Sequence, residues 1–297
     1  MPTRLILAIA ALTLAGPAAP PPPVPADPPI WVVRDDDTTI YLFGSVHWLK
    51  PDIAWFDDDV RAAFDRAEML VLETPPVDAA EAQRTQDAIG RTSDGPTLPE
   101  RLPPAYRPKL SAALAELGYP AGAFDRVKPW LAATTLSVLP LKRRGYASAA
   151  GVEAVLTEAA RRADKPVIGL EPRVEQLGYF DALPEQAQLT MLMRQLDNMD
   201  RTCDSTDAVL AAWTAGDVAR LGRIVDADQR ASSEAFGKAI LTDRNRRWAA
   251  WIVRRLEQPG TVFMAVGVGH LAGRDTVQRA LARMGQRAER LRPAAAR

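Results

Sequence analysis

The sequence predicts an α/β protein of mixed α/β and α+β character, in which a central β-sheet is flanked by helices and carries large helical insertions. Three observations lead there. Short apolar runs rich in β-branched and aromatic residues recur near residues 30–46, 68–73, 166–172 and 260–267. Long Ala-, Leu- and Arg-rich stretches with helical spacing separate them. No repeat of about 20 to 50 residues is present, which argues against a solenoid. A chain of 297 residues can bury a sizeable core.

The charge balance narrows the function. Lys plus Arg and Asp plus Glu number 37 each, so no global charge attracts nucleic acid, and nucleic acid is not expected as a partner. The start, MPTRLILAIAALTLAGPAAP, has one early Arg4, an apolar run from Leu5 to Ala15 and then small residues, which reads as a secretory signal peptide. The run is shorter than the roughly 20 residues of a membrane span. The alternative is an uncleaved anchor. Residues 1–26 are therefore read as signal peptide and Pro-rich linker, with Ala18 and Ala26 as possible ends. The expected location is the periplasm or outside the cell, with no integral membrane span after signal removal. Cys203 is the only cysteine, so no internal disulfide forms.

In chain order, IWVVRDDDTTIYLFGSV reads as two strands around a turn at Asp35 to Asp37. Asp57 to Arg66 follows a helical pattern with aspartates at its positive end. EMLVLE (68–73) is a short buried strand stopped by Thr74-Pro75-Pro76. From Val77 to Ala163 several short helices, broken near Gly95, Pro103, Gly118 and Pro129, read as a helical insertion. PVIGLEP (166–172) is a third buried strand. Residues 173–258 return to helices, including LTDRNRRWAAWIVRRLEQPG, and TVFMAVG gives a fourth strand. LAGRDTVQRALARMG reads as a helix and QRAERL as a last short strand.

Both histidines of the chain stand in one local setting, Gly-x-x-His after an apolar run: YLFGSVH ends at His47 and MAVGVGH at His270. Glu73 and Glu171 likewise follow predicted strands. Ligands of open α/β sheets collect outside the carboxyl ends of the strands, so these four side chains form a candidate site. Two imidazoles with one or two carboxylates are donors suited to a divalent transition metal. Gly44 and Gly267 are expected to allow positive φ and a close backbone approach. A single histidine after a strand is more often a satisfied turn residue, and a strand-end glutamate more often the partner of an arginine; the repeated setting sets this pair apart. HExxH, GxSxG and Walker motifs are absent. Arg244, Asn245, Arg246 and Arg247 lie on a helix with Trp248 and Trp251, a face that is usually solvated.

In this order, YLFGSVH, LVLE, VKPW, AAGVEAVLTEAARRADKPVIGLEPRVEQL, LTDRNRRWA and GTVFMAVGVGHLAG resemble the TraB/PrgY/GumN family, which includes the TIKI proteins described as metal-dependent proteases. The resemblance spans a single domain at about 30–293; the region between Glu73 and Lys128 carries no family signature. It implies a metal-dependent hydrolase, probing a peptide or protein substrate with a divalent metal ion (Mn, Co or Zn). On that implication His47, Glu171 and His270 are the metal ligands and Glu73 is the general base, with the roles of the two glutamates open to exchange, and Arg244 with Asn245 match the RNR run, Arg244 stabilising an oxyanion or gripping a substrate carboxylate. Two other readings stay open. One is a metal-independent, esterase-like hydrolase with a histidine as general base. The other is a non-catalytic protein that binds peptide or haem.

Overall fold

A computed structural model of the chain describes residues 23–56 and 58–291. The apolar run Leu5 to Ala15 and the cleavage candidate Ala18 lie outside them. Ala26 lies inside, directly after a short strand. Strand β1 (Val24–Pro25) pairs in parallel with β4 (Ile53–Ala54), and the Ala26 N–H donates to the Ala54 carbonyl at 3.0 Å.

The expected hairpin forms from β2 (Ile30–Arg34) and β3 (Thr38–Ser45), antiparallel from Ile30 opposite Phe43 to Arg34 opposite Thr39. The Asp35 carboxylate closes the turn by accepting the N–H groups of Asp37 and Thr38 at 3.2 and 2.8 Å, a local bond that aspartate makes readily. Next come helix α1 (Asp58–Arg66) and strand β5 (Met69–Leu72). Helices α2 (Ala79–Gly90), α3 (Leu98–Arg101), α4 (Arg107–Glu116), α5 (Pro129–Arg143) and α6 (Val152–Arg162) lead to strand β6 (Val167–Gly169). Helices α7 (Arg173–Asp181), α8 (Glu185–Asp197), α9 (Thr202–Thr214), α10 (Val218–Ala231), α11 (Glu234–Gly237) and α12 (Asp243–Leu256) lead to strand β7 (Gly260–Gly267). Helix α13 (Val277–Arg283) and strand β8 (Glu289–Arg290) close the chain. The last predicted helix is shorter than its pattern because Gly273 adopts φ 101° and breaks it.

The main sheet runs β6-β5-β7-β3-β2-β8. Its first four strands are parallel, with β3 and β7 in register from Thr38 opposite Gly260 to Ser45 opposite Gly267; β2 runs antiparallel to β3 and β8. Parallel strands need long crossovers, and the helical segments supply them. Alternation sends Tyr41, Phe43, Phe263 and Ala265 to one face and Ile40, Leu42, Val262 and Met264 to the other. Both faces are covered, as a parallel sheet requires. Helix α6 packs on the first face through Val152, Leu156 and Ala160, so it belongs to the sheet layer rather than to the helical insertion in which the sequence placed it. Helix α12 covers the second face through Trp248, Ala249, Ile252 and Leu256. A third core, around Leu98, Leu110, Trp130, Leu136 and Leu192, sits within the helical part.

Candidate functional site

The four strands before Glu171, Glu73, His270 and His47 are neighbours in that order, all parallel and all ending on one edge. The sheet therefore brings the four predicted side chains together, as the strand-end argument expects. Glu73, Glu171 and His270 are buried, whereas the His47 side chain is 61% exposed. The two glycines act by close approach and not by φ. Gly267 has φ −47°, and a Cβ there would lie 3.1 Å from Glu73 Oε1 and 3.9 Å from His47 Nε2. Neither Gly44 nor Gly267 is among the glycines with positive φ, which corrects that half of the expectation.

The centre of the cluster is Arg244. Its Nε donates to Glu171 Oε1 at 2.9 Å, its Nη2 to the same oxygen and to Glu73 Oε2, both at 2.6 Å, and its Nη1 to the Ile240 carbonyl at 3.0 Å. Nη1 also lies 3.1 Å from His270 Nε2. A guanidinium only donates, so His270 Nε2 accepts and the ring proton sits on Nδ1. That proton goes to Asn245 Oδ1 at 2.7 Å, and the Asn245 Nδ2 donates to the Asp275 carbonyl, which fixes the amide's orientation. His270 is thus a neutral imidazole with both nitrogens engaged, its ring centre 4.3 Å from that of Trp248 and tilted 44° to it. Burial pushes it down to about 3, and the adjacent Arg244 adds to the effect.

The two carboxylates around this guanidinium are pushed apart. Burial works against the charge on Glu73, but the Arg244 and His47 cations, with the Gly267 N–H at 2.7 Å, hold it well below the usual carboxylate range. Arg244 is the permanent cation of that set; the neutral tautomer of His270 carries no charge. Gln176 Nε2 donates to Glu73 Oε2 at 2.7 Å as well. Burial raises Glu171 above the usual carboxylate range despite the bonds from Arg244.

His47 differs from these three. Its Nδ1 lies 2.7 Å from Glu153 Oε1, and Ser45 Oγ donates to the same oxygen at 2.5 Å. The Glu153 carboxylate pushes His47 up to about 9, against the lowering effect of desolvation. The open side of the ring lets solvent weaken that ion pair. With Nδ1 held by Glu153, Nε2 faces the cleft beside Glu73. That cleft, about 780 Å³, is lined by His47, Trp48, Glu73 and Glu153 among others. Glu153 is the residue that sequence reasoning missed. Its only signal is its place two residues beyond Gly151, which caps α6 and on which the His47 backbone rests: a Cβ on Gly151 would come within 2.2 Å of the His47 carbonyl oxygen.

Of the three expected ligands, Arg244 engages Glu171 and His270, while His47 Nε2 stays open to the cleft. The lone pairs of Glu171, Glu73 and His270 that face the centre are taken by the hydrogens of Arg244, and the described residues include no group of three or more His, Cys, Asp or Glu arranged around a common ion. Arg244 and Asn245, the two residues of the RNR run, are both buried, and their side chains bond to Glu73, Glu171, His270 and the Asp275 carbonyl. Glu73, acidic and bonded through both oxygens, is ill suited to take a proton.

A mixed sheet with helices on both faces and a polar cluster at the carboxyl ends of its parallel strands defines an α/β protein with one edge-on candidate active site. The chain belongs to the TraB/PrgY/gumN family, whose description matches residues 29–290. It is 22% identical to an uncharacterized protein of Treponema pallidum (strain Nichols) over 264 residues, covering 83% of this chain and 78% of that one. It is also 22% identical to the uncharacterized protein YbaP of Escherichia coli (strain K12) over 246 residues, covering 83% and 89%. No solved structure matches it significantly.

Proposed function

We propose that this protein is an exported hydrolase that cleaves peptides by attack of a water molecule, with His47 as the general base. The observation that carries the reading is the His47–Glu153 pair at 2.7 Å, with Nε2 on an open cleft beside Glu73. A carboxylate on Nδ1 fixes the tautomer and ring orientation, leaving Nε2 to take a proton from water and steadying the imidazolium that results. Arg244, Asn245 and Trp248 position His270 and Glu73 and set the field at the cleft wall. This is the metal-independent of the two hydrolase readings, favoured because Arg244 engages Glu171 and His270, two of the three expected ligands, and no step in it runs through an ion.

Export rests on the Leu5 to Ala15 run and on the small residues after it. The pairing of Val24–Pro25 with Ile53–Ala54 favours cleavage before those residues, nearer Ala18 than Ala26. Among the described residues no helix is long and apolar enough to cross a membrane.

The test is cleavage of a random peptide library by purified protein, before and after dialysis against a chelator. Cleavage should survive the chelator and fall about 10²- to 10⁴-fold in His47→Ala, the usual contribution of a positioned base. Loss of activity on chelation with recovery on adding Mn²⁺ would return the site to a metal mechanism. Equal activity in His47→Ala would remove the base assigned here.

A further inference from the structure

The cleft beside His47 has one cation with no partner. Arg173 is the first residue of α7 and lines the cleft. Its Nε is buried and has no hydrogen-bond partner, and among the described residues its side chain makes no ion pair. The residue as a whole is half-buried, and a buried N–H left without an acceptor is costly and uncommon, so this side chain asks for one.

The cleft's own carboxylates do not supply it. Glu73 is held by Arg244, Glu153 by His47, and Glu158 by Arg161 and Arg162 at 2.8 Å each. Each anion on the wall has its own cation, and Arg173 is the surplus charge. Pro172 precedes α7 without a side-chain cap, and the acidic residue of the first turn, Glu175, accepts from the Tyr179 hydroxyl. A guanidinium presents a planar fork that matches a carboxylate with two parallel bonds, and the three acidic side chains nearby favour a singly charged anion over a phosphate dianion.

We propose that Arg173 anchors a carboxylate of the substrate in the cleft, so that the substrates are acyl compounds, such as peptides, bearing a free carboxylate beside the bond presented to His47. The proposal rests on the hydrolase reading for its chemistry but not for its binding. The carboxylate has two possible sources, a free C-terminus or an acidic side chain, and one experiment separates them. Three pools of N-acetyl tripeptides are equilibrated with the protein and the bound fraction is measured by dialysis and mass spectrometry: free C-terminal acids without acidic side chains, the matching C-terminal amides, and amides containing Asp or Glu. Wild-type protein should retain one acidic pool about tenfold or more over the neutral amides, the scale of a charge-assisted bond. Arg173→Gln should erase that preference and Arg173→Lys should restore part of it, with urea midpoints unchanged in both.

Equal retention of all pools, retention of none, or a preference that persists in Arg173→Gln would overturn the anchor. Cleavage followed in the same pools keeps the two ideas apart. If the wild-type protein retains acids through Arg173 but cleaves nothing, the anchor stands and the hydrolase reading fails. If it cleaves acids and amides alike, the hydrolase reading stands and the anchor fails.

Discussion

Removing the guanidinium of Arg244 leaves two buried carboxylates facing one another with no counter-charge, and the cost follows from burial. Arg244 and Glu171 are each 4% exposed and Glu73 8%, so solvent cannot replace the lost bonds. Arg244→Met should destabilise the fold by about 3–5 kcal/mol, the usual cost of breaking a buried ion pair from one side. Arg244→Lys should recover part of it, since an ammonium keeps the charge but not the fork to both glutamates and His270. Urea unfolding reads this, and a stability loss under about 1 kcal/mol in Arg244→Met would mean that the cluster is not held by the guanidinium. At His47 the informative neighbour is Glu153. Its carboxylate raises the imidazole from 6.5 to about 9, so activity based on His47 should rise with pH along a limb above 6.5. In Glu153→Gln the limb of kcat/KM should move down toward 6.5, because the charge that favoured the imidazolium is gone, while kcat falls about 10- to 100-fold from the lost orientation. A limb that stays in place would show that another group governs the rate.

Between β3 and α6 a single glycine decides whether the dyad assembles. Gly151 has φ −62°, which any residue adopts, so the constraint is space: a Cβ there meets the His47 carbonyl oxygen at 2.2 Å, a backbone atom that cannot swing aside. Gly151→Ala should therefore cost about 1–3 kcal/mol as an overpacked contact, and should lower activity by parting His47 from Glu153. Thermal unfolding and the pH limb would report the two effects, and a stabilised, fully active Gly151→Ala would contradict this packing. The same contact explains what the sequence could and could not convey. The four strand ends were legible because short β-branched runs stopped by Gly or Pro identify strands without knowledge of their partners. That the strands lie side by side, in the order that brings Glu171, Glu73, His270 and His47 together, depends on pairing that no local pattern encodes. Glu153 escaped because it lies early in a helix read as part of an insertion, and only the packing of α6 against the sheet brings it to His47. The inward face of α12 was partly legible: Asn245, Ala249, Ile252 and Leu256 fall on one stripe, with Arg244 and Trp248 beside it. The basic run Arg244 to Arg247 nonetheless read as a solvated face, and only the packing of α12 brings Arg244 inside.

Across the whole molecule, three shifted groups make stability depend on pH with a predictable asymmetry. His47 is raised from 6.5 to about 9, so the native state binds its proton more tightly; that stability is fully present below 6.5 and is lost as pH rises through about 9. Glu73 is depressed below 4.5, so its contribution is present above 4.5 and lost as pH falls through its lowered folded value. His270 is depressed from 6.5 to about 3 because it is buried neutral; the unfolded chain takes up a proton first, and stability falls as pH drops from 6.5 toward 3. Each fully expressed single-proton difference gives a slope of about 1.4 kcal/mol per pH unit. His270 and Glu73 are buried and keep that slope, whereas the His47 side chain is 61% exposed, so solvent flattens its limb. Urea midpoints measured from pH 2 to 10 should thus fall steeply on the acid side, beginning near 6.5, and gently on the alkaline side. His270→Gln should remove the part of the acid limb between 6.5 and 3 and leave the part due to Glu73, and His47→Gln should flatten the alkaline limb alone. An acid limb in His270→Gln that still begins near 6.5 would mean that the imidazole is not held neutral by Arg244 and Asn245, and the arrangement derived for the centre of the site would have to be redrawn.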